Sequence, residues 1–237
     1  MALSLRCAVV GAGRVGSALC SALADLDGPF GRGFDGVAHD GFVYEAVLLA
    51  VPDGRIAEAA ALIPPGPLVG HCAGAVGLAV LAGHEAFGVH PLMTVPAGGA
   101  AFAGAGAAVA GSSRRALEFA VELSGALGMR AVTIADGDRA AYHAAASIAS
   151  NFLVTLEDAA EQLMRTAGGD RQLLGPLVRA AVENWLADGG PKALTGPIAR
   201  GDEATVASQR AAVAQRTPHL LELFDAMCAA TRSLAGR

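Results

Sequence analysis

Up to Ala135, short apolar runs alternate with segments of helical periodicity. Residues 5–10 predict a strand and residues 14–26 a helix. A weaker strand fits 30–34. A strong one fits 46–51, followed by a short helix over 54–62. Residues 68–71 predict another strand, then a small helix over 76–82. Further strands fit 87–90 and 107–110, then a helix over 113–127 and a last strand over 130–134. Strands alternating with helices predict a parallel α/β sheet. After Ala135 the strand pattern stops. Residues 138–166 read as one long helix, with others over 171–187, 202–215 and 218–235. The expected organisation is an α/β sheet domain over 1–136 and an all-helical domain over 137–237.

Composition narrows the function classes. With 53% hydrophobic and 16% charged residues, the chain can build a core and is not a disordered segment. A net charge of -5 gives no electrostatic basis for nucleic-acid binding. Residues 59–84 and 86–113 lack Asp, Glu, Lys and Arg. Pro, Gly and His interrupt both, so they read as buried strands and tight loops, not membrane spans. Cys7, Cys20, Cys72 and Cys228 are scattered singly, as expected of reduced thiols in the cytoplasm. The spacing of His71, Cys72, His84 and His90 matches no paired metal-ligand arrangement, so no metal is expected.

The first strand runs into Gly11-Ala12-Gly13-Arg14-Val15-Gly16, a G-x-G-x-x-G motif at a strand–helix joint. Gly11 permits the tight turn, Gly13 lets a pyrophosphate approach the backbone, and Gly16 allows close helix–strand packing. The N–H groups that open the helix can then hold phosphates. The motif points to a Rossmann-type dinucleotide site. An acidic residue about 20 positions on favours NAD, whereas an arginine favours a 2′-phosphate. Arg32 stands at that distance and Asp35 slightly beyond it. NADP(H) is therefore the expected cofactor, with NAD less favoured.

In open α/β sheets, ligands lie beyond the carboxyl ends of the strands. Val51-Pro52-Asp53 closes one strand; Asp53 suits a helix cap, and Pro52 can shape backbone beside the cofactor. His71-Cys72-Ala73-Gly74 closes the next, with small residues that allow nicotinamide or substrate to come close. His90 stands at the end of a third. For His71 and His90, a hydrogen-bonded structural role stays open beside a ligand role.

The long helix poses its own question. No charged residue occurs from Ala140 to Leu156, yet His143, Ser147 and Asn151 recur every four residues. On an α-helix they span an arc of roughly 80° and a length of about 12 Å. A solvated face would carry Lys, Glu or Arg. Two readings remain: structural hydrogen bonds, or the wall of a ligand pocket. Further on, Thr195-Gly196-Pro197 makes a turn, and Arg200 precedes Asp202, a candidate helix cap. Arg200 beside a helix N-terminus could receive a carboxylate or phosphate.

Together VVGAGRVGSAL, LLAVPDGRI, GHCAGA, VHPLMT, YHAAASIASNFL and LTGPIARGD resemble a family of oxidoreductases over nearly the whole chain. That family pairs a Rossmann-like NADP-binding domain with a helical C-terminal domain of unknown function, number 2520 in its series. The architecture is similar to ketopantoate reductase, pyrroline-5-carboxylate reductase and the β-hydroxyacid dehydrogenases. The resemblance implies an NADPH-dependent reductase of a small carboxylate substrate, ketopantoate-like first and a pyrroline-type imine second. It also implies substrate binding between the two domains, and a homodimer. In several of those enzymes a Lys precedes an Asn by four residues on this helix. Here the positions read His143, Ser147 and Asn151, so the spacing is shared and the first two residue types differ. On this basis His143 is the expected proton donor, since an imidazole ordinarily titrates near neutrality. Ser147 and Asn151 would orient the substrate, and Thr195 and Arg200 would hold its carboxylate. His90 and His71 stand in reserve. The alternative of another class is a non-catalytic NADP-binding sensor or assembly protein.

Overall fold

Among the described residues, seven strands form one sheet, in the order β2-β1-β3-β4-β5-β6-β7. The computed structural model describes residues 3–38 and 40–236. The strands are β1 (Cys7–Val10), β2 (Leu26–Phe30), β3 (Ala46–Leu49), β4 (Leu68–His71), β5 (Glu85–Leu92), β6 (Gly106–Gly111) and β7 (Arg130–Thr133). Helices α1 (Arg14–Ala22), α2 (Ile56–Ala60) and α3 (Arg114–Ala126) connect them. From β1 the chain passes to β2 on one side and then to β3 on the other. The strand order therefore reverses at β1, which opens a crevice beyond its carboxyl end.

The pleat sends alternate residues into two apolar layers. Cys7 and Val9 of β1 join Leu19 of α1 and Phe119 and Leu123 of α3. Ala8 and Val10 join Ile56 and Ala60 of α2. All four residues of β1, β3 and β4 are buried, as continuous apolar strands between two layers should be. The Ser113 hydroxyl caps α3 by accepting from the Ala116 N–H.

Four expectations need correction. The helix expected over 14–26 stops at Ala22, because Leu23 is extended and Leu26 already pairs with Cys7. The second strand accordingly precedes the expected 30–34. The sheet is not wholly parallel, since β5 and β6 run antiparallel. A parallel neighbour needs a crossover of a dozen or more residues, usually helical; 93–105, with Gly98, Gly99 and Gly104, contains no helix. The helix expected over 138–166 is also interrupted. It comprises α4 (Arg139–Ser147), a π-turn over Ile148–Phe152, and α5 (Leu153–Thr166).

Packing divides the chain into two compact units, Met1–Ser150 and Asn151–Arg237. The division falls within the π-turn, later than the end of the strand pattern near residue 136. The reason is α4, whose Arg139 is buried and whose Tyr142 bonds to β5. The second unit contains α5, α6 (Arg171–Asp188), α7 (Gly190–Ala193), α8 (Glu203–Arg216) and α9 (Leu221–Ala235). Asp170 and Asp202 cap α6 and α8 by accepting backbone N–H bonds. Arg210 makes a paired contact with Asp225 at 2.8 Å through both Nε and Nη2, tying α8 to α9. Among the described residues no helix is long and apolar enough to cross a membrane.

Gly70 tests the packing of β4 directly. A Cβ there would lie 2.5 Å from the Phe87 ring, in the fully buried core. Gly70→Ala is expected to destabilise the protein by about 1–3 kcal/mol through overpacking. Phe87→Leu in the same chain should recover part of that loss in a denaturant melt. Equal stability of Gly70→Ala and wild type would contradict this packing.

Candidate functional site

The crevice beyond β1 is lined by glycine backbone. Gly11 has φ +116°, and a Cβ on it would fall 2.4 Å from the Ala50 carbonyl oxygen. A Cβ on Gly16 would fall 1.9 Å from the Gly11 carbonyl oxygen. These two glycines are thus fixed by backbone lying on backbone. Gly13 differs, because a Cβ there meets nothing within 4 Å. Its free face lines a cavity of about 360 Å³. Gly13 is also the N-cap of α1 and supplies no side-chain cap, so the first N–H groups of the helix are free for an anion. A dinucleotide's phosphates fit this cradle on steric and electrostatic grounds.

The cavity brings together Gly11, Ala12, Gly13, Arg32, Val51 and Pro52 from the residues expected at a cofactor site. Arg14, Val15 and Gly16 lie behind it on α1. Three further features escape the sequence reading. Phe34 stacks on Phe30 at 4.2 Å between ring centroids and lines the cavity. Arg55 and Glu58 also line it, paired to each other at 2.8 Å. Asp53, by contrast, is expected as a helix cap, but it opens the 3-10 turn Asp53–Arg55 and its side chain caps neither that turn nor α2; its charge acts on His71 and His90, favouring their protonated forms.

A second cluster lies past the end of β4 and on the last residues of β5, which runs on to Leu92, so that His90 sits within the strand and not at its end. The His90 Nδ1 is 2.8 Å from the Tyr142 hydroxyl. The His90 and His143 rings are 6.3 Å apart between centroids. Both press on Gly74, where a Cβ would lie 2.8 Å from His143 Cδ2 and 2.9 Å from His90 Nε2. Gly74 therefore seats the two imidazoles. Tyr142 and His143 follow Arg139 at i+3 and i+4, so all three share one face of α4. That spacing is legible in the sequence, whereas the burial of Arg139 is set by the fold. Arg139 is buried, donates from Nε to Asp136 at 2.8 Å, and among the described residues finds no partner for Nη2.

His71 is fully buried. Its Nδ1 accepts from the Ala73 N–H at 3.2 Å, and its Nε2 lies 3.4 Å from the Gly77 carbonyl oxygen. The ring thus shapes the loop after β4. Burial holds its pKa below the usual value. His90 is pushed down to about 4, first by desolvation and then by His143 and Arg139. A neutral His90 can accept from the Tyr142 phenol at Nδ1, leaving its proton on Nε2, the nitrogen beside Gly74. Ser147 is half-buried on α4. Asn151 in the π-turn, and Thr195 and Arg200 in the second unit, are exposed. Among the described residues, no three His, Cys, Asp or Glu side chains are grouped to hold a metal ion.

His90 links stability to pH. Its folded pKa lies below the ordinary 6.5 of an unfolded chain, so the unfolded state takes up a proton first as pH falls. Stability should be full above that ordinary value and decline as pH drops toward about 4. His90→Gln should flatten this decline, measured by denaturant melts across the window. An unchanged slope would place His90 in water.

Residues 106–231, more than half of the chain, match the family described as "Domain of unknown function (DUF2520)". No curated protein matches the chain. Among solved structures, a candidate NADP oxidoreductase from Bacteroides fragilis aligns with a TM-score of 0.79 at 18% identity, covering 96% of this chain and 97% of that one. Pyrroline carboxylate reductase from Plasmodium falciparum, with NADP bound, aligns with a TM-score of 0.63 at 14% identity, covering 99% and 100%. A reductive aminase from Aspergillus terreus, in complex with NADPH and ethyl-5-oxohexanoate, gives 0.64 at 15% identity, covering 97% and 98%. At these identities the likeness is one of fold, a Rossmann-type sheet followed by helices. The family match over more than half the residues goes further: the chain belongs to the DUF2520 family.

Proposed function

We propose that this protein is an NADPH-dependent reductase that acts on a C=N or C=O carbon of a small carboxylate. The observation that carries the reading is that one unit holds both an open glycine cradle at the switch point and an imidazole pair toward the carboxyl ends of the neighbouring strands. Similarity in fold to a pyrroline carboxylate reductase and a reductive aminase supports it and moves a pyrroline-type imine forward as substrate. The ketopantoate-like keto acid stays as the second reading, on the four-residue spacing of His143, Ser147 and Asn151.

The residues divide the work. The Gly11–Gly13 backbone and the free N–H groups of α1 hold the pyrophosphate, and Arg32 meets the 2′-phosphate. A bound nicotinamide supplies the hydride. His143 is exposed and can exchange protons with water, so it donates the proton to the substrate nitrogen or oxygen. His90, kept neutral, fixes the surroundings of His143 with Tyr142. Ser147, one turn further along α4, orients the substrate. A non-catalytic NADPH sensor needs none of this second set.

The second unit supports a homodimer as the working form. No residue of α5 or α6 is buried. On α6, Leu173 and Leu177 are each 67% exposed and Leu186 is 70% exposed. An 18-residue helix in water is held mainly by packing of an apolar face, and on this one its own chain fully buries no residue. A second copy supplies the missing cover.

Two measurements test these proposals. Loss of NADPH absorbance should follow mixing with pyrroline-type imines or with branched 2-keto acids, and His143→Ala should lower kcat by about 10²–10⁴-fold with NADPH affinity kept. Full activity in His143→Ala removes its role as donor, and binding without turnover across the panel favours the sensor. Sedimentation at micromolar concentration should give a dimer that Leu177→Glu with Leu186→Glu converts to monomer. A wild-type monomer would contradict the dimer.

A further inference from the structure

We propose that Arg55 is a second recognition residue for the ribose 2′-phosphate, and that Glu58 occupies its guanidinium until the phosphate arrives. The proposal rests on the NADPH reading above and adds a residue and an exchange to it. Arg32 enters the cavity from the loop after β2, and Arg55 from the turn after β3. The two cations thus approach one cavity from either side of the β1 switch point. Val10, Phe34 and Leu62 give the same cavity apolar walls, suited to a base and sugar.

The charge balance of the cavity decides between ligands. Its lining has two guanidiniums and one carboxylate, that of Glu58. Glu58 Oε1 lies 2.8 Å from Arg55 Nη2, and the two side chains are 64% and 47% exposed. An exposed pair at i,i+3 is weak, because water and salt screen it. A phosphate monoester carries a charge of about -1.5 to -2 and offers three acceptor oxygens. It can therefore take both guanidiniums with shorter, paired hydrogen bonds. A bare ribose 2′-hydroxyl has no charge to draw Arg55 from Glu58. The ion pair thus acts as a threshold: Arg55 leaves it for a phosphate and stays in it for a hydroxyl. Glu58 keeps the second cation neutralised while the site is free, which limits capture of unrelated anions.

The test is calorimetric titration of 2′,5′-ADP and of 5′-ADP into wild type, Arg55→Ala, Glu58→Gln and the double variant. NADPH and NADH binding are followed in parallel by fluorescence. Both side chains are exposed, so thermal melts should show all variants folded. Arg55→Ala should weaken 2′,5′-ADP by about 10–100-fold, the range for a hydrogen bond to a charged group. Its effect on 5′-ADP should be slight. Glu58→Gln should tighten 2′,5′-ADP several-fold, and that gain should vanish once Arg55 is Ala. Equal losses for both nucleotides in Arg55→Ala would overturn the proposal, since Arg55 would then hold another part of the ligand. So would a Glu58→Gln gain that persists without Arg55, or no gain at all. Wild type that prefers NADPH while Arg55→Ala keeps full 2′,5′-ADP affinity overturns this inference alone. Wild type that binds neither dinucleotide overturns the reductase reading and this inference with it.

Discussion

The contact of backbone on backbone where β1 turns into α1 sets the terms for the site. The Gly11 carbonyl oxygen occupies the space a Gly16 side chain would need, and Gly11 itself lies against the Ala50 carbonyl. Such contacts are open only to glycine. They bring the first turn of α1 down onto the ends of β1 and β3, with its N–H groups uncapped and facing outward. Because the sheet order reverses at β1, the space in front of those groups is not filled by another connection. Cavity, free amides and basic rim all follow from that one approach.

The second cluster follows from a different constraint. Helix α4 packs with the sheet unit through Arg139, Tyr142 and His143, which bring charge and imidazole to the end of β4 and the last residues of β5. Burial there favours uncharged rings, and the nearby guanidinium strengthens that bias for His71 and His90. His143 stays exposed to water. Environment therefore separates the histidines: His71 shapes the loop after β4, and His90 is held neutral against Tyr142.

Much of this was legible in the chain. β4 falls on the expected residues because its apolar run is short and flanked by Pro and Gly. The G-x-G-x-x-G cradle could be read because each glycine answers a local steric need. Pairing direction could not, since β6 is equally apolar in either orientation. The π-turn was hidden because one wider turn leaves an alanine-rich sequence looking helical. Arg55 and Glu58 lie in the short helical segment read over 54–62, but only the fold sets them beside Arg32's cavity. For the same reason Tyr142 and Arg139 looked ordinary: their partners on β5 and at Asp136 are apparent only in three dimensions.

The central claim is that the glycine cradle is the dinucleotide site. Hydrogen–deuterium exchange with and without NADPH tests it at the backbone groups concerned. The account predicts slowed exchange of the amides opening α1, Arg14 to Gly16, and of the segments around Arg32 and Arg55, saturating with NADPH concentration. Unchanged exchange at α1 while NADPH binds and protects another part of the chain would contradict it.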